Sequence, residues 1–400
     1  MDFELTEQQK ALQTKVRQFI QRVITPLESK IPYDPQDTPD DVVQHVKNEL
    51  MKAGFYSMNV PKEYGGQGWG LTDKFLVIEE FLRSGVELLW HGELRIVSVD
   101  PPPHVWVEAT ESQKKEYFLP AVRGERAYTY AASEPGMGSD LVSMQTTAVK
   151  KGDTYVINGT KRWTESLVEQ RRDKNGFVIV YAKTKPEAGT RGISSFLVDY
   201  GNPGMRESRI IETWKTGSER KVCDLTFENC VVPASALLGE ENMAFRRARE
   251  HFNQNILTCG PGLVGMMQRT LDMATAYAKK RVAFGKPIAE HEAIAWMLAD
   301  SAVDIHMARL LTYHAAWAQD NGQDTRQYVA MIKGWIPDMA CRVIDRAIQI
   351  HGGIGIAKET GLGRMYVLAR SLKIEEGTAE IYHIVLSRCI LQEGWPLSLW

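Results

Sequence analysis

The hydrophobic spacing of this 400-residue chain changes period twice, and that limits its possible folds more than any other feature. Over residues 5–120 the apolar positions keep a helical period. Thr6 with Gln9 forms a capping box, and Leu12, Val16, Phe19, Ile20 and Val23 then recur on one face. A second box, Thr110 with Gln113, precedes Pro120, while Gly65-Gly66-Gln67-Gly68 and Pro101-Pro102-Pro103 are loops. Between about 125 and 235 the pattern turns to strands. Tyr155-Val156-Ile157 ends in an Asn158-Gly159 turn, Phe177 to Tyr181 and Phe196 to Val198 are apolar runs, and Cys223, Leu225 and Phe227 alternate with polar neighbours. From about 240 long helices return. Their stripes are Leu263-Met267-Leu271-Ala274, Val303-Met307-Leu310-Leu311 and Ile332-Ile336-Ala340-Val343-Ala347, the last closed by Gly352-Gly353 as a C-cap. All three are expected to face core. The order predicts an α+β, mainly α chain: a helical domain over 1–122, a small β-domain over 123–238 and a helical bundle over 239–400. It excludes Rossmann and TIM patterns, which alternate strand and helix throughout.

Composition narrows the class. The chain is 44% apolar and 24% charged with a net charge of −2, so it is globular and lacks the basic surface that nucleic acid requires. Cys223, Cys230, Cys259, Cys341 and Cys389 are odd in number and widely spaced, which points to buried thiols in a reducing compartment rather than disulfides or zinc. The acidic Met-Asp-Phe-Glu start has neither signal-peptide nor transit-peptide character, and no apolar run reaches the ~18 residues a membrane span needs. A cytoplasmic protein is expected, without membrane partners.

Four segments carry candidate chemistry, and each has an ordinary alternative. Tyr130 to Asp140 (YAASEPGMGSD) has spaced glycines beside Ser133, Ser139 and Asp140, which suit a planar or anionic ligand or a simple glycine turn. In Lys161-Arg162-Trp163-Thr164 the indole suits an aromatic cofactor or a core. Lys280 and Arg281 with Phe284-Gly285-Lys286-Pro287 place cations between two helices, for phosphate or for water. In Ile374-Glu375-Glu376-Gly377-Thr378-Ala379-Glu380 a carboxylate opens the last helix, as a base or as a cap.

In this order and spacing, together with Gln349-Ile350-His351-Gly352-Gly353, the segments resemble the acyl-CoA dehydrogenase family over essentially the whole chain. The resemblance implies an N-terminal helical domain, a middle β-barrel-like domain and a C-terminal four-helix bundle, with FAD between the last two. It implies Tyr130, Ala132, Ser133 and Ser139 along the flavin, and Trp163 and Thr164 facing its ring. Arg281, Phe284, Gln349, Gly352 and Gly353 would hold the adenosine and pyrophosphate of a neighbouring subunit's FAD, in a homotetramer or homodimer. Thr378 and Glu380 would touch the cofactor near the base, and Ser139 and Gly377 the substrate. Glu376 stands at the catalytic base, with its backbone N–H and a flavin hydroxyl stabilising the enolate of an acyl-CoA substrate. Glu375 is a bystander, and an electron-transfer flavoprotein is the expected acceptor. The same fold would also serve a flavin oxidase or a flavin-free scaffold.

The chain also departs from the family. An aliphatic residue and then Thr or Ser usually follow the Trp, but here Thr164-Glu165-Ser166 follow, so Thr164 is expected to replace the usual hydroxyl. Arg171-Arg172-Asp173-Lys174-Asn175 lengthens the next loop. Ile256 stands where several relatives carry Arg, and Glu292 where Gln is common. Trp90-His91-Gly92-Glu93-Leu94-Arg95 falls in a segment that lines the acyl pocket in relatives. A long alkyl chain would leave such polar groups unpaired at roughly 1–3 kcal/mol each, so a short, polar or ring-bearing acyl group is expected.

Overall fold

The computed structural model describes residues 4–31, 38–85, 101, 103–165, 175–214 and 222–392. The Trp90–Arg95 segment, Ser166 and residues 171–174 lie outside these. The N-terminal helices are α1 (Glu7–Phe19), α2 (Asp40–Ala53), α3 (Leu71–Arg83), α4 (Pro103–Glu108), α5 (Glu111–Gln113) and α6 (Leu119–Val122). Both capping boxes form: the Thr6 and Thr110 side chains accept the Gln9 and Gln113 amides, and the glutamine side chains answer reciprocally. The first stripe buries Val16, Phe19, Ile20 and Val23 against Val42, Val46 and Leu50. Phe19, Phe55 and Phe81 meet edge to face there, with centroids 5.4 to 5.9 Å apart.

Eight strands follow: β1 (Tyr128–Ala131), β2 (Thr147–Lys151), β3 (Thr154–Glu165), β4 (Phe177–Lys183), β5 (Ile193–Asp199), β6 (Met205–Ile211), β7 (Val222–Pro233) and β8 (Leu237–Leu238). They form one sheet in the order β6-β7-β3-β2-β4-β5-β8, with β1 added in parallel to β4. The apolar run of β4 is buried on both faces. Val178 and Val180 pack among strands, while Phe177 and Ile179 pack towards Trp106 and Phe118 beside the N-terminal helices.

The Asn158-Gly159 turn is not made. β3 continues through it, paired with β2 on one side and β7 on the other, and the register shifts between Ile157 and Gly159 as a bulge. Gly159 is required because a Cβ there would stand 2.4 Å from the Thr146 hydroxyl. The chain reverses earlier, at Gly152-Asp153. Two flanking partners outweigh a local turn preference.

The C-terminal helices are α7 (Ala244–Lys280), α8 (Glu292–Asp320), α9 (Arg326–His351), α10 (Leu362–Ser371) and α11 (Ala379–Leu391), and a hairpin of β9 (Val282–Ala283) and β10 (Lys286–Pro287) joins α7 to α8. The stripes of α7 and α9 are core as expected. That of α8 is not: Val303, Met307 and Leu310 are exposed, and only Leu311 packs inward. Apolar residues of α8 lie on more than one face, and the chain itself covers only part of them. All five cysteines are free thiols.

Polar ties join the N-terminal helices to the bundle: Arg83 on α3 pairs with Asp272 on α7 at 3.1 Å, and two more reach α8. Glu79 on α3 accepts from Arg309 at 2.9 Å and from the Tyr313 hydroxyl at 3.0 Å, both on α8. The Asp320 carboxylate accepts the Leu71 amide at 2.6 Å, the Thr72 amide at 2.9 Å and the Thr72 hydroxyl at 2.7 Å. Gly70 has no side chain to cap α3, so Asp320 caps it from another domain. Asp320→Ala is expected to lower stability by about 1–2 kcal/mol, seen as a lower denaturant midpoint, with a smaller loss for Asp320→Asn.

Candidate active site

The segment after β1 is held by a buried ion pair. Lys161 of β3 is fully buried, and its ammonium lies 2.9 Å from the Glu134 carboxylate and 3.1 Å from the Ala132 carbonyl. Glu134 also accepts the Gln145 and Thr146 amides, at 2.7 and 2.9 Å. Burial lowers the Lys161 pKa to about 8, although Glu134 opposes that shift. Burial would raise Glu134, but Lys161 and the bonds from Thr146 and Gln145 hold it below its ordinary value. Ser133 is fixed through its carbonyl, which accepts the Arg162 amide at 2.8 Å. The chain then turns tightly between Glu134 and Met137, leaving Gly136, Gly138 and Ser139 exposed. Among the described residues a Cβ on Gly136 or Gly138 would meet nothing within 4 Å, so none of them requires glycine there.

Next to this segment β3 bulges, and its register with β7 shifts between Lys161 and Thr164. Arg162 anchors the bulge with two bonds to Asp224, at 2.8 and 2.7 Å. Trp163 takes φ 64° and is 57% exposed. Thr164 returns to the ladder opposite Cys223, where it is enclosed, and its hydroxyl has no hydrogen-bond partner among the described residues.

Across the fold, the turn between α10 and α11 carries Glu376, which is exposed and takes φ 52°. Gly377 follows at φ 97°, where a Cβ would stand 2.9 Å from the Tyr382 ring. The Tyr382 hydroxyl donates to the Glu376 carbonyl at 3.1 Å, and the Ala379 amide to the Lys373 carbonyl at 2.9 Å. Burial, and then the Glu376 carboxylate, push Tyr382 well above its usual pKa. Thr378 is the N-cap residue of α11. Glu380 is exposed in the first turn, held below its ordinary value by its own amide and the Thr378 hydroxyl.

The remaining candidates gather at the far end of the bundle. Phe284 and Gly285 form a two-residue turn with φ 52° and 80°, and Phe284 is 96% exposed. Arg281, Gln349, Gly352 and Gly353 are exposed as well, and Gly352 takes φ 63° as the C-cap of α9. One apolar cluster, including Ala278, Ile288 and Ile350, joins the hairpin to the end of α9, where His351 stacks on Tyr277 at 4.5 Å. This group and the Glu376 turn are well separated within a protomer. Lys333, which bonds the Glu376 turn, precedes His351 by eighteen residues of α9, about 27 Å of helix. Ile256 lies fully buried in the bundle core, and Glu292 is exposed.

Sequence reasoning missed Lys333 and Tyr382. The available signal was a lysine on the apolar stripe Val329, Lys333, Ile336, Ala340.

Open glycines and the exposed rings of Trp163 and Phe284 leave room for a large planar ligand. Acyl-CoA dehydrogenase N-terminal, middle and C-terminal domain descriptions match residues 6–125, 129–230 and 243–391 in turn. The chain belongs to the acyl-CoA dehydrogenase family. It is 31% identical over 395 residues to the acryloyl-CoA reductase (NADH) of Anaerotignum propionicum, covering 98% of this chain and 96% of that one. It is 34% identical over 392 residues to the cyclohex-1-ene-1-carbonyl-CoA dehydrogenase of Geobacter metallireducens, covering 97% and 99%. The solved structure of PigA with FAD and proline superposes with a TM-score of 0.86 at 25% identity, covering 98% and 99%.

Removing Glu134 strands the Lys161 ammonium and two amides, so Glu134→Ala is expected to cost about 3–5 kcal/mol. Lys161→Met leaves Glu134 with both amide donors and costs less. Unfolding titrations rank the two variants, and the reverse order would contradict this account. Because the Glu134 pKa is lowered on folding, its contribution is present above the ordinary carboxylate value and lost as pH falls through the lowered one.

Proposed function

We propose that this protein is an FAD-dependent acyl-CoA dehydrogenase in which Glu376 removes the α-proton of an acyl-CoA thioester. The observation that carries this reading is the Glu376 turn, a carboxylate presented outward from a left-handed, hydrogen-bonded backbone. An α-proton beside a thioester is weakly acidic, so the base must be aimed and raised in pKa by desolvation. The turn supplies the aim. Desolvation follows when cofactor and acyl chain cover the exposed carboxylate. The Glu376 backbone N–H is the protein's donor to the thioester oxygen, where enolate charge develops. When bound, FAD supplies the hydride acceptor for the β-hydrogen at its N5.

Tyr130, Ala132, Ser133 and Ser139 border the flavin in this reading, and the exposed Trp163, rather than the enclosed Thr164, offers it an aromatic face. Gly377, Thr378 and Glu380 line the approach beside the base, with Ser139 and Gly377 towards the substrate. Arg281, Phe284, Gln349, Gly352 and Gly353 hold the adenosine and pyrophosphate of a neighbouring subunit's FAD. The helix length separating them from Glu376 supports that division. So does Phe284, which forgoes roughly 1.5–3 kcal/mol of burial unless something outside the chain covers it.

A homotetramer or homodimer is the proposed assembly, and the exposed face of α8 supports association of copies. Trp296, Val303, Leu310 and Trp317 recur every seven residues and are 64, 56, 42 and 50% exposed, the seam of a helix awaiting another helix. An electron-transfer flavoprotein is the proposed acceptor. Ring-bearing or short acyl groups are the proposed substrates, in keeping with the cyclohexene and acryloyl thioesters in its relatives' names. The same residues serve desaturation and its reverse.

Glu376→Gln is expected to keep the yellow flavin yet slow its anaerobic bleaching by acyl-CoA thioesters about 10²–10⁴-fold. Bleaching at the original rate would reject the assignment. Leu310→Glu is expected to yield smaller species in size-exclusion chromatography with light scattering while helical content is retained. An unchanged assembly would remove α8 from the interface.

A further inference from the structure

Lys333 lies on the core-facing stripe of α9 and is 2% exposed. Its ammonium is 2.5 Å from the Leu372 carbonyl oxygen and also donates to the Glu375 carbonyl oxygen. Among the described residues no carboxylate forms an ion pair with it. A buried cation answered only by dipoles costs stability, and an apolar residue on this stripe would avoid that cost.

Capping explains half of the arrangement. The Leu372 carbonyl stands at the end of α10, where carbonyls lack helical partners and a cation meets the negative pole. It does not explain the second acceptor. The Glu375 carbonyl and the Glu376 N–H belong to one planar trans peptide unit, in which the two bonds point in opposite directions. Holding that carbonyl therefore sets the direction of that N–H. Tyr382 holds the following peptide unit instead, through the Glu376 carbonyl.

We propose that Lys333 is a positioning residue for the oxyanion of the reaction. It aims the Glu376 amide at the thioester carbonyl, and its charge makes that N–H a stronger donor. This rests on the reading of Glu376 as base. An ammonium bonded to an amide oxygen draws electron density through the peptide, so the N–H on the other side binds an anion better than a neutral carbonyl. That preference favours the enolate-like transition state over the bound thioester, which raises kcat rather than affinity. The left-handed φ of Glu376 would relax without such holds, and Lys333 and Tyr382 provide them from two helices.

The test uses Lys333→Met and Lys333→Gln in the full-length flavoprotein, the second keeping one donor without the charge. Per bound flavin, kcat is expected to fall about 10- to 100-fold for Lys333→Met, with KM changed less than about threefold. A 3-oxoacyl-CoA bound at one fixed pH reports donor strength directly through its enolate absorbance. Its enolate-to-neutral ratio is expected to fall about tenfold in the Met variant and less in the Gln variant. In flavin-free protein, amide exchange of the 372–378 peptide is expected to quicken in both. A structural role alone would lower stability and flavin content, yet leave kcat per flavin and the enolate ratio at wild-type values, and that result overturns the proposal. Should Lys333→Met not fold, the Gln variant decides on the same readouts. Turnover surviving in Glu376→Gln would instead sink the assignment of the base, while the exchange measurement would still report on the hold of Lys333.

Discussion

An ammonium group taken out of water has to be answered by the chain, and two such groups each hold one of the candidate segments. Lys161 projects from a strand to Glu134 and the Ala132 carbonyl, and thereby holds the glycine-bearing segment. Lys333 projects from a helix to the turn that carries Glu376. In each case a regular element fixes an irregular one, which is how a rigid scaffold gives precision to loops that meet ligands. Losing a partner from such a site costs several kcal/mol, so neither segment shifts cheaply.

Backbone strain falls in the same places. Among the described residues six non-glycine residues take left-handed φ: Ser57, Trp163, Asn229, Asn242, Phe284 and Glu376. Asparagine tolerates that region through local hydrogen bonds, but an indole, a phenyl ring and a long carboxylate gain nothing locally from it. Those three residues are exposed, and each stands in a segment that the family resemblance assigns to flavin or substrate. Strain and exposure together make sense when the compensating contact comes from a cofactor, a substrate or a second subunit. The apolar seam of α8 is the same argument at the scale of a helix.

Much of the fold was legible because its signals are local. Reciprocal capping boxes began α1 and α5 where Thr6 and Thr110 placed them, and the stripes of α7 and α9 went to the core. Asn158-Gly159 misled because a turn preference worth little was set against strand partners on both sides. Val303, Met307 and Leu310 misled because an apolar period marks a face without saying whether the chain's own core covers it. Among the candidate residues, Glu376 and Trp163 were proposed from their motifs, whereas Lys333 looked like any helical lysine until its stripe was traced.

By itself the sequence determined the order of helical, strand and helical segments, the ends of several elements and the family. These depend on periodicity, capping and motif spacing, all carried by residues near one another in the chain. The tertiary structure alone decided which peptide Lys333 holds, that Trp163 opens outward while Thr164 is enclosed, and that the Arg281 and Glu376 groups lie far apart in one protomer. Those outcomes depend on contacts between residues 27 to 249 positions apart, such as Lys161 with Glu134 and Leu71 with Asp320, whose geometry exists only once the layers have packed.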